Sequence, residues 1–371
     1  MFLAIREMKH AKTRYLLISL IMVLIAFLVL FVTGLAQGLS YANASSIQNM
    51  KADYLILQQD ADHRLNRSTI TEDTWKQIQQ ASSDQQGIEL NPLSVKMTSI
   101  AKVDDTKKMD ATFFGIDPEG ALAPVIKEGR LMAAGADHEA VADKTFADKG
   151  LKLGDMIEDQ ASGQQYELVG FTEGQSYSHT PVILMSFKGL EATEAGRPGT
   201  VGSAAYNAVA LSGSKTIADQ ITSKVQGIEI VNKDTALKGI PGYQEEQGSL
   251  LMMIAFLFII AAFVLAVFFY VITIQKMNQF GVLKAIGAKN SYLARSLVLQ
   301  VLTLSLVCLA ISILLTYSVA MVLPDSMPFQ LNTSVVAGCA VLFIVVSLLG
   351  SLLSLFRVVK VDAIEAIGRA M

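Results

Sequence analysis

Four uninterrupted apolar runs set the terms for this chain: Leu16–Ala36 near its start, and Leu250–Ile274, Leu297–Leu323 and Ser334–Phe356 near its end. None contains an Asp, Glu, Lys, Arg or His. A bilayer core roughly 30 Å thick takes about 20 apolar residues of helix, and every run reaches that length. Buried helices of soluble domains are usually shorter and keep a polar face. The pattern therefore reads as four transmembrane helices, one plus three, with ordinary soluble-type sequence between the first and second.

A hydrophobic fraction of 52% with a net charge of −3 fits that mixture. It is too apolar for a wholly soluble globule and too charged for a pure helical bundle. No basic stretch stands clear of the membrane flanks, so nucleic-acid binding has no support. The two cysteines, Cys308 and Cys339, both fall inside spans. With no CxxC pair and no zinc-ligand spacing, they read as small packing residues.

Lys and Arg collect on one side of the spans. Arg6, Lys9, Lys12 and Arg14 precede the first span; Lys276, Lys284, Lys289 and Arg295 separate the second from the third; Arg357, Lys360 and Arg369 follow the fourth. The link Pro324–Thr333 has neither residue type. By the positive-inside rule both termini and the Gln275–Ser296 loop are cytoplasmic, and the large domain faces out. The chain then divides into a cytoplasmic amphipathic start (1–15), spans at 16–36, 250–274, 297–323 and 334–356, and an extracellular domain (37–249). A cytoplasmic coupling loop (275–296), a short outer loop (324–333) and a cytoplasmic tail (357–371) complete it. Gly34-Leu35-Ala36 also resembles a signal-peptide cleavage site. An apolar core well beyond the usual 7–15 residues argues for a retained helix instead.

The outer domain reads as α+β. Strand-like stretches run at Asp53–Gln59, Leu93–Ala101, Ala111–Ile116, Gln165–Thr172, Pro181–Ser186 and Ala205–Leu211. Ser68 ahead of Ile70–Gln80 and Asp137 ahead of Ala140–Lys149 read as helix starts. Gly150 and Gly154 bracket Leu151–Leu153 as a turn-strand-turn. There is no GxSxG and no HExxH, and His63, His138 and His179 lack neighbours at ligand spacing, so each reads as a surface histidine. Nothing here supports an enzyme. Gly213-Ser214-Lys215-Thr216 mimics the end of a phosphate loop but lacks the earlier glycine, position 208 being Ala. The spans also lack the ionisable residues that an ion-gradient transporter needs. Any work across the membrane must be powered by another subunit.

The coupling loop offers a place for one. Phe280, Leu283, Ile286 and Gly287 fall at helical spacing, and Gly287 reads as a helix end. An apolar-faced helix without a domain to bury it fits either a protein groove or the lipid surface.

At three places the chain resembles MacB/FtsX-type ABC transporter permeases. GVLKAIGAK at 281–289, VDAIEAIG at 361–368 and AIREMKHAKTR at 4–14 are similar to that family's coupling segments. EGRLMAAGADHEAVADKTFADKGLKLGD at 128–155 resembles its outer-domain pattern, and the one-plus-three layout is also the family's. Within it, YQEEQGSLLMMI at 243–254, FFYVITIQK at 268–276 and MPF at 327–329 resemble the heme-exporter permeases of Gram-positive bacteria. The resemblance implies an α-helical membrane protein with a large extracytoplasmic α+β domain, working as a homodimer on a separate ABC ATPase subunit that binds the ATP. It also implies no cavity through the bilayer centre, with ATP-driven motion transmitted to the outer domain. Phe280, Gly281, Leu283, Lys284, Ala285, Ile286 and Gly287 would sit in the ATPase groove.

Heme as cargo is chemically reasonable. It is a flat apolar macrocycle with two carboxylates, and its iron accepts His, Met, Tyr, Cys or, more weakly, carboxylate. Tyr243, Glu245, Glu246, Met252 and Met253 stand at the start of the second span, with Gln37 and Tyr41 past the end of the first. Glu246 is the first choice of ligand. On the bland reading, the glutamates end a linker in water and the methionines pack in lipid. Gly34 with Gly38, and Gly350 with Ser354, set small residues four apart, as close helix contacts need. Gly34 with Gly38 serves either a dimer contact or the helix end. Rival functions are efflux of antimicrobial peptides or lipids, and FtsX-like signalling to a cell-wall hydrolase.

Overall fold

The computed structural model describes residues 12–83, 85, 87–193, 206–324 and 327–359. Most of the basic start at 4–14 and all of VDAIEAIG at 361–368 lie outside them. The chain forms two compact units: Leu39–Gln247, and Met1–Gly38 with Gly248–Met371. In chain order the elements begin with α1 (Lys12–Gln48), β1 (Tyr54–Gln58), α2 (Glu72–Ser82), β2 (Glu89–Lys102), β3 (Lys108–Ile116), β4 (Ile126–Gly129) and β5 (Glu139–Asp143). They continue with α3 (Thr145–Asp148), β6 (Met156–Asp159), β7 (Gln165–Thr172), β8 (Ser176–Tyr177), β9 (Thr180–Ser186), α4 (Phe187–Ala192) and β10 (Ala208–Ser212). Last come α5 (Lys215–Lys224), β11 (Ile228–Asn232), α6 (Lys233–Lys238), α7 (Tyr243–Gln275), α8 (Met277–Ala285), α9 (Asn290–Ala320) and α10 (Thr333–Val359).

Four of these helices, α1, α7, α9 and α10, are long and apolar enough to cross a membrane. Leu265 and Phe269 of α7, Met22 and Ala26 of α1, Leu304 and Cys308 of α9 and Phe343 of α10 form their common core. Hydrocarbon offers no hydrogen-bond partner, so span hydroxyls turn back on the helix. Thr33, Thr273 and Thr316 each donate to a carbonyl four residues earlier at 2.7 Å. Helix α9 stops at Ala320, three residues short of the expected span end at Leu323. The Gly34/Gly38 step is occupied within this unit. Phe329 packs against Gly34, where an added Cβ would lie 2.5 Å from the ring, and Gly38 faces the Pro328 backbone. The Gln330 N–H also donates to the Gly34 carbonyl at 3.0 Å. The glycines thus seat the α9–α10 link. Gly350 meets the Ala266 backbone, where an added Cβ would sit 3.2 Å away, bringing α10 close to α7.

The α+β unit has two lobes that share strand β2. Residues Glu89–Leu93 pair with β10, continuing the order β11-β1-β10-β2, and residues Ser94–Ala101 pair with β3. Asn207 marks the switch: its side chain accepts from the Val95 N–H at 2.6 Å and donates to the Ser68 carbonyl at 3.0 Å. From β2 the pairing runs through β3, β9, β5, β7 and β6 back to β2, a closed ring of strands. Phe113, Tyr166, Phe146, Ile183 and Leu168 fill it.

Each of the six strand-like stretches read from the sequence contains a strand; the last begins only at Ala208, and Ala205 lies outside the described residues. The helix expected over Ala140–Lys149 is not one. Glu139–Asp143 forms β5, wedged between β7 and β9 with Ala140, Val141 and Ala142 fully buried, and only Thr145–Asp148 is helical. Leu151–Leu153 is irregular, the strand falling one turn later at β6. Helix α2 starts at Glu72 under a Thr71 cap, not at Ser68, whose hydroxyl instead accepts from the Gln58 N–H at 2.8 Å. The GSKT mimic does follow a strand, β10, but a two-residue turn leads straight into α5 and forms no phosphate-sized loop.

The family-like motif at 128–155 acts structurally. Arg130 forks onto the Glu139 carboxylate at 2.8 and 2.5 Å, and the Ala133 N–H donates to it at 2.9 Å, closing the 130–139 loop. Lys102 and the Lys152 N–H hold Asp155 at 2.7 and 2.9 Å. The Arg130 guanidinium and the Ala133 amide together bring Glu139 down to about 2.

A Gly38→Ala change overlaps the Pro328 backbone and should cost about 1–3 kcal/mol. Gly248→Ala in α7 meets open space and should gain up to about 1 kcal/mol of helix propensity. Thermal unfolding of the two variants should therefore move in opposite directions. Because Glu139 is lowered in the folded state, its stabilisation is complete above the ordinary carboxylate range and is lost as pH falls towards 2. Arg130→Gln should lower the Tm by about 2 °C at pH 7, with the gap to wild type closing by pH 2–3.

Candidate functional site

Helix α1 is broken at Ala44, which has φ −142° and ψ 16°. Ser176 of β8 intrudes there. Its hydroxyl donates to the Ala42 carbonyl at 2.7 Å, its N–H donates to Ser45 Oγ at 2.9 Å, and Ser46 Oγ donates to the Ser176 carbonyl at 2.8 Å. A polar group inserted into the ladder accounts for the break. It also fastens the β8–β9 hairpin to residues 42–46.

Ser178 and His179, with φ of 51° and 62°, form the hairpin's two-residue left-handed turn. The turn carries His179 to Glu246, on the first turns of α7, with Nε2 3.0 Å from Oε2. The same oxygen accepts from Asn43 Nδ2 at 2.5 Å. Asn43 is fully buried, and both its Oδ1 and Glu246 Oε1 lack a hydrogen-bond partner. Beneath the turn, Tyr177 is enclosed edge-on to Phe114, its hydroxyl unpartnered and pushed up to about 12 by burial. The result is a carboxylate fixed through one oxygen, with the other buried and without a partner. Such a group can accept a cation or a metal centre, with its orientation set by its neighbours.

Of the residues singled out from the sequence, Glu246 and Tyr243 face the end of α1, the Tyr243 hydroxyl lying 3.3 Å from Ser40 Oγ. The Tyr41 hydroxyl accepts from Asn49 Nδ2 at 2.8 Å. Glu245 is exposed, as are Met252 and Met253 further along α7. Gln37 accepts from the Asn332 N–H at 3.4 Å in the membrane unit. His179 is a surface histidine, as the sequence reads, and the fold adds a partner that sequence spacing did not show, Glu246. Asn43 escaped notice altogether. Sequence spacing could not bring 43, 179 and 246 together, although the polar run Asn43-Ala-Ser-Ser straight after an apolar span was a signal.

The second feature lies in the membrane unit, where α7 gives way to α8 at Lys276. The Lys276 side chain is largely buried; it donates to Gln300 Oε1 at 2.7 Å and lies 5.8 Å from the Tyr15 ring centroid. Gln300 Nε2 in turn reaches the Tyr15 hydroxyl at 2.5 Å. One cation thus ties three helices at the hinge. Helix α8 ends in a Schellman turn: the Gly287 N–H bonds the Lys284 carbonyl and the Ala288 N–H bonds the Leu283 carbonyl, both at 2.9 Å, with Gly287 at φ 97°. Phe280 and Gly281 are buried, and Phe280 and Leu283 pack on Leu293 of α9, so this part of the presumed free face is covered by the chain itself. Lys284 is half-buried, while Val282, Ala285, Ile286 and Gly287 are exposed.

Two family models match. The MacB-like periplasmic core domain covers residues 15–226, and the FtsX-like permease C-terminal model covers residues 251–363. The chain belongs to the MacB/FtsX family of ABC transporter permeases. It is 32% identical, over 99% of both chains, to a Staphylococcus haemolyticus protein provisionally named hemin transport system permease protein HrtB. It is 23% identical, again over 99% of both, to an uncharacterized ABC transporter permease of Mycobacterium tuberculosis. A solved periplasmic region of MacB from Actinobacillus actinomycetemcomitans aligns with 50% of this chain and 91% of its own at 13% identity and a TM-score of 0.37. As a permease of this family the chain is a non-catalytic subunit, and ATP hydrolysis resides in a separate one.

Asn43→Ala should cost about 1.5–3 kcal/mol, because a buried donor to a carboxylate is lost. His179→Ala, at an exposed partner, should cost under about 1 kcal/mol. Thermal unfolding of the purified chain separates the two.

Proposed function

We propose that this permease exports heme from the membrane, driven by a separate HrtA-like ABC ATPase and working as a homodimer. Both termini and α8 then lie in the cytoplasm, the Leu39–Gln247 unit lies outside, and ATP-driven motion reaches it through the spans. The observation that carries the heme reading is the Glu246 carboxylate, held by Asn43 and His179, whose Oε1 is buried without a hydrogen-bond partner. A carboxylate so oriented suits ferric iron as a ligand, and His179 is a second donor beside it. Tyr243, Tyr41 and Glu245 are further candidates in the same unit; Met252 and Met253 offer exposed thioethers on α7. The names given to the relatives related at about 32% identity support the same cargo.

The ATPase-facing surface is the exposed part of α8, namely Val282, Ala285, Ile286 and Gly287. Phe280, Gly281, Leu283 and Lys284 serve by shaping that helix rather than by direct contact. The Lys276–Gln300–Tyr15 tie carries its movement into α1 and α9.

Titrating hemin into the purified permease and following the Soret band tests the cargo. Glu246→Ala should weaken binding at least tenfold and His179→Ala less; undiminished binding in both removes the site. Unchanged hemin tolerance in a deletion strain, with altered cell separation, would favour FtsX-like signalling instead. Ile286→Asp should abolish capture of a co-expressed HrtA-like ATPase while leaving hemin binding intact.

A further inference from the structure

A second site lies in the α+β unit, bordered by Ser46 and Asn49 but including none of Asn43, His179 and Glu246. The chain after α1, at Met50 and Lys51, and the loop before β4, Ala121–Val125, flank a half-open cavity of about 180 Å³. Its floor belongs to the domain core: Leu93, Phe114, Ile116 and Leu184 are all buried residues of one cluster and all line it. A notch that exposes core side chains loses favourable packing unless something apolar fills it.

The lining carries three charged residues, Lys51, Lys127 and Glu173. Lys127 is already neutralised by Glu173 at 3.3 Å, whereas Lys51 has no ion-pair partner among the described residues. Val125, on the lip, is 70% exposed. Ser46, Asn49, Thr172 and Gln175 also line the walls; above the apolar floor, a single spare cation selects a molecule with a short apolar tail and one anionic head. The cavity equals about six water volumes, which is tail-sized and too small for a porphyrin.

We propose that this notch binds the acyl tail of a monocarboxylate, with the carboxylate paired to Lys51. The site is separate from the Glu246 cluster and does not depend on the heme reading.

The test uses the full-length chain in phosphatidylcholine nanodiscs, carrying Val125→Cys labelled with an environment-sensitive fluorophore. The native cysteines lie inside the spans, and empty nanodiscs control for partition into lipid. Hexanoate, heptanoate and octanoate should give saturable changes that tighten about fourfold per methylene. Octylamine should bind at least tenfold more weakly than octanoate. Lys51→Glu should cost octanoate at least tenfold, and Lys107→Glu, an exposed change in the β2–β3 turn, should cost nothing. A parallel arm places oleate in the bilayer: a response there identifies a lipid-borne ligand, and a response to soluble octanoate alone identifies one taken from water. No saturable response in either arm, equal affinity for octylamine, or indifference to Lys51→Glu overturns the proposal.

Discussion

Hydrocarbon supplies no partner for a peptide group or a charge, and this one deficiency arranges the chain. It forces the four spans into helices, turns their threonines back on their own carbonyls and pushes charge to the helix ends. Lys276 shows the limit of the rule. It stands immediately after the apolar run of α7, yet it is largely buried, and it is tolerated because Gln300 accepts from it and the Tyr15 ring lies beneath. Removing the cation's partners would strand it, so the residues around the hinge are tied to one another more tightly than their apolar neighbours.

The spans were legible because composition alone encodes them: a lipid-facing helix must be apolar along its length. The strands were legible where β-branched and aromatic residues crowd together, as in Gln165–Thr172. Strand β5 was not. Glu-Ala-Val-Ala-Asp has the alanines of a helix, and only its position between β7 and β9 makes it extended. Strand β6, with the polar pair Glu158-Asp159, was hidden for a different reason. Asp159 is fully buried, and burial alone would raise it; hydrogen bonds from Ser162, Thr98 and Lys96, with the charge of Lys96, outweigh that and hold it low. Ser162 is local, but Thr98 and Lys96 lie on β2, outside any local window.

The candidate site was half legible. Glu246 stood out as a carboxylate beside a span. Its companions did not, since Asn43 and His179 approach it across more than a hundred residues in one case and more than sixty in the other. What joins them is a hairpin turn whose two left-handed residues aim one histidine, and a break in α1 that accepts the hairpin's serine. Family motifs misled in one respect. The Gly-Arg…Glu pattern, conspicuous to the eye, closes a loop; Glu246 lies in the family-like segment 243–254, while its partners Asn43 and His179 sit in stretches that carry no motif.

Strand β2 runs for 14 residues and changes partner midway, from β10 to β3, without leaving the extended conformation. Backbone of this kind stretches little, and no loop intervenes to take up slack. The two lobes therefore cannot be pulled apart along that line without tearing ladder hydrogen bonds. A displacement along β2 at one lobe is felt at the other through the shared strand, with no intervening loop to absorb it.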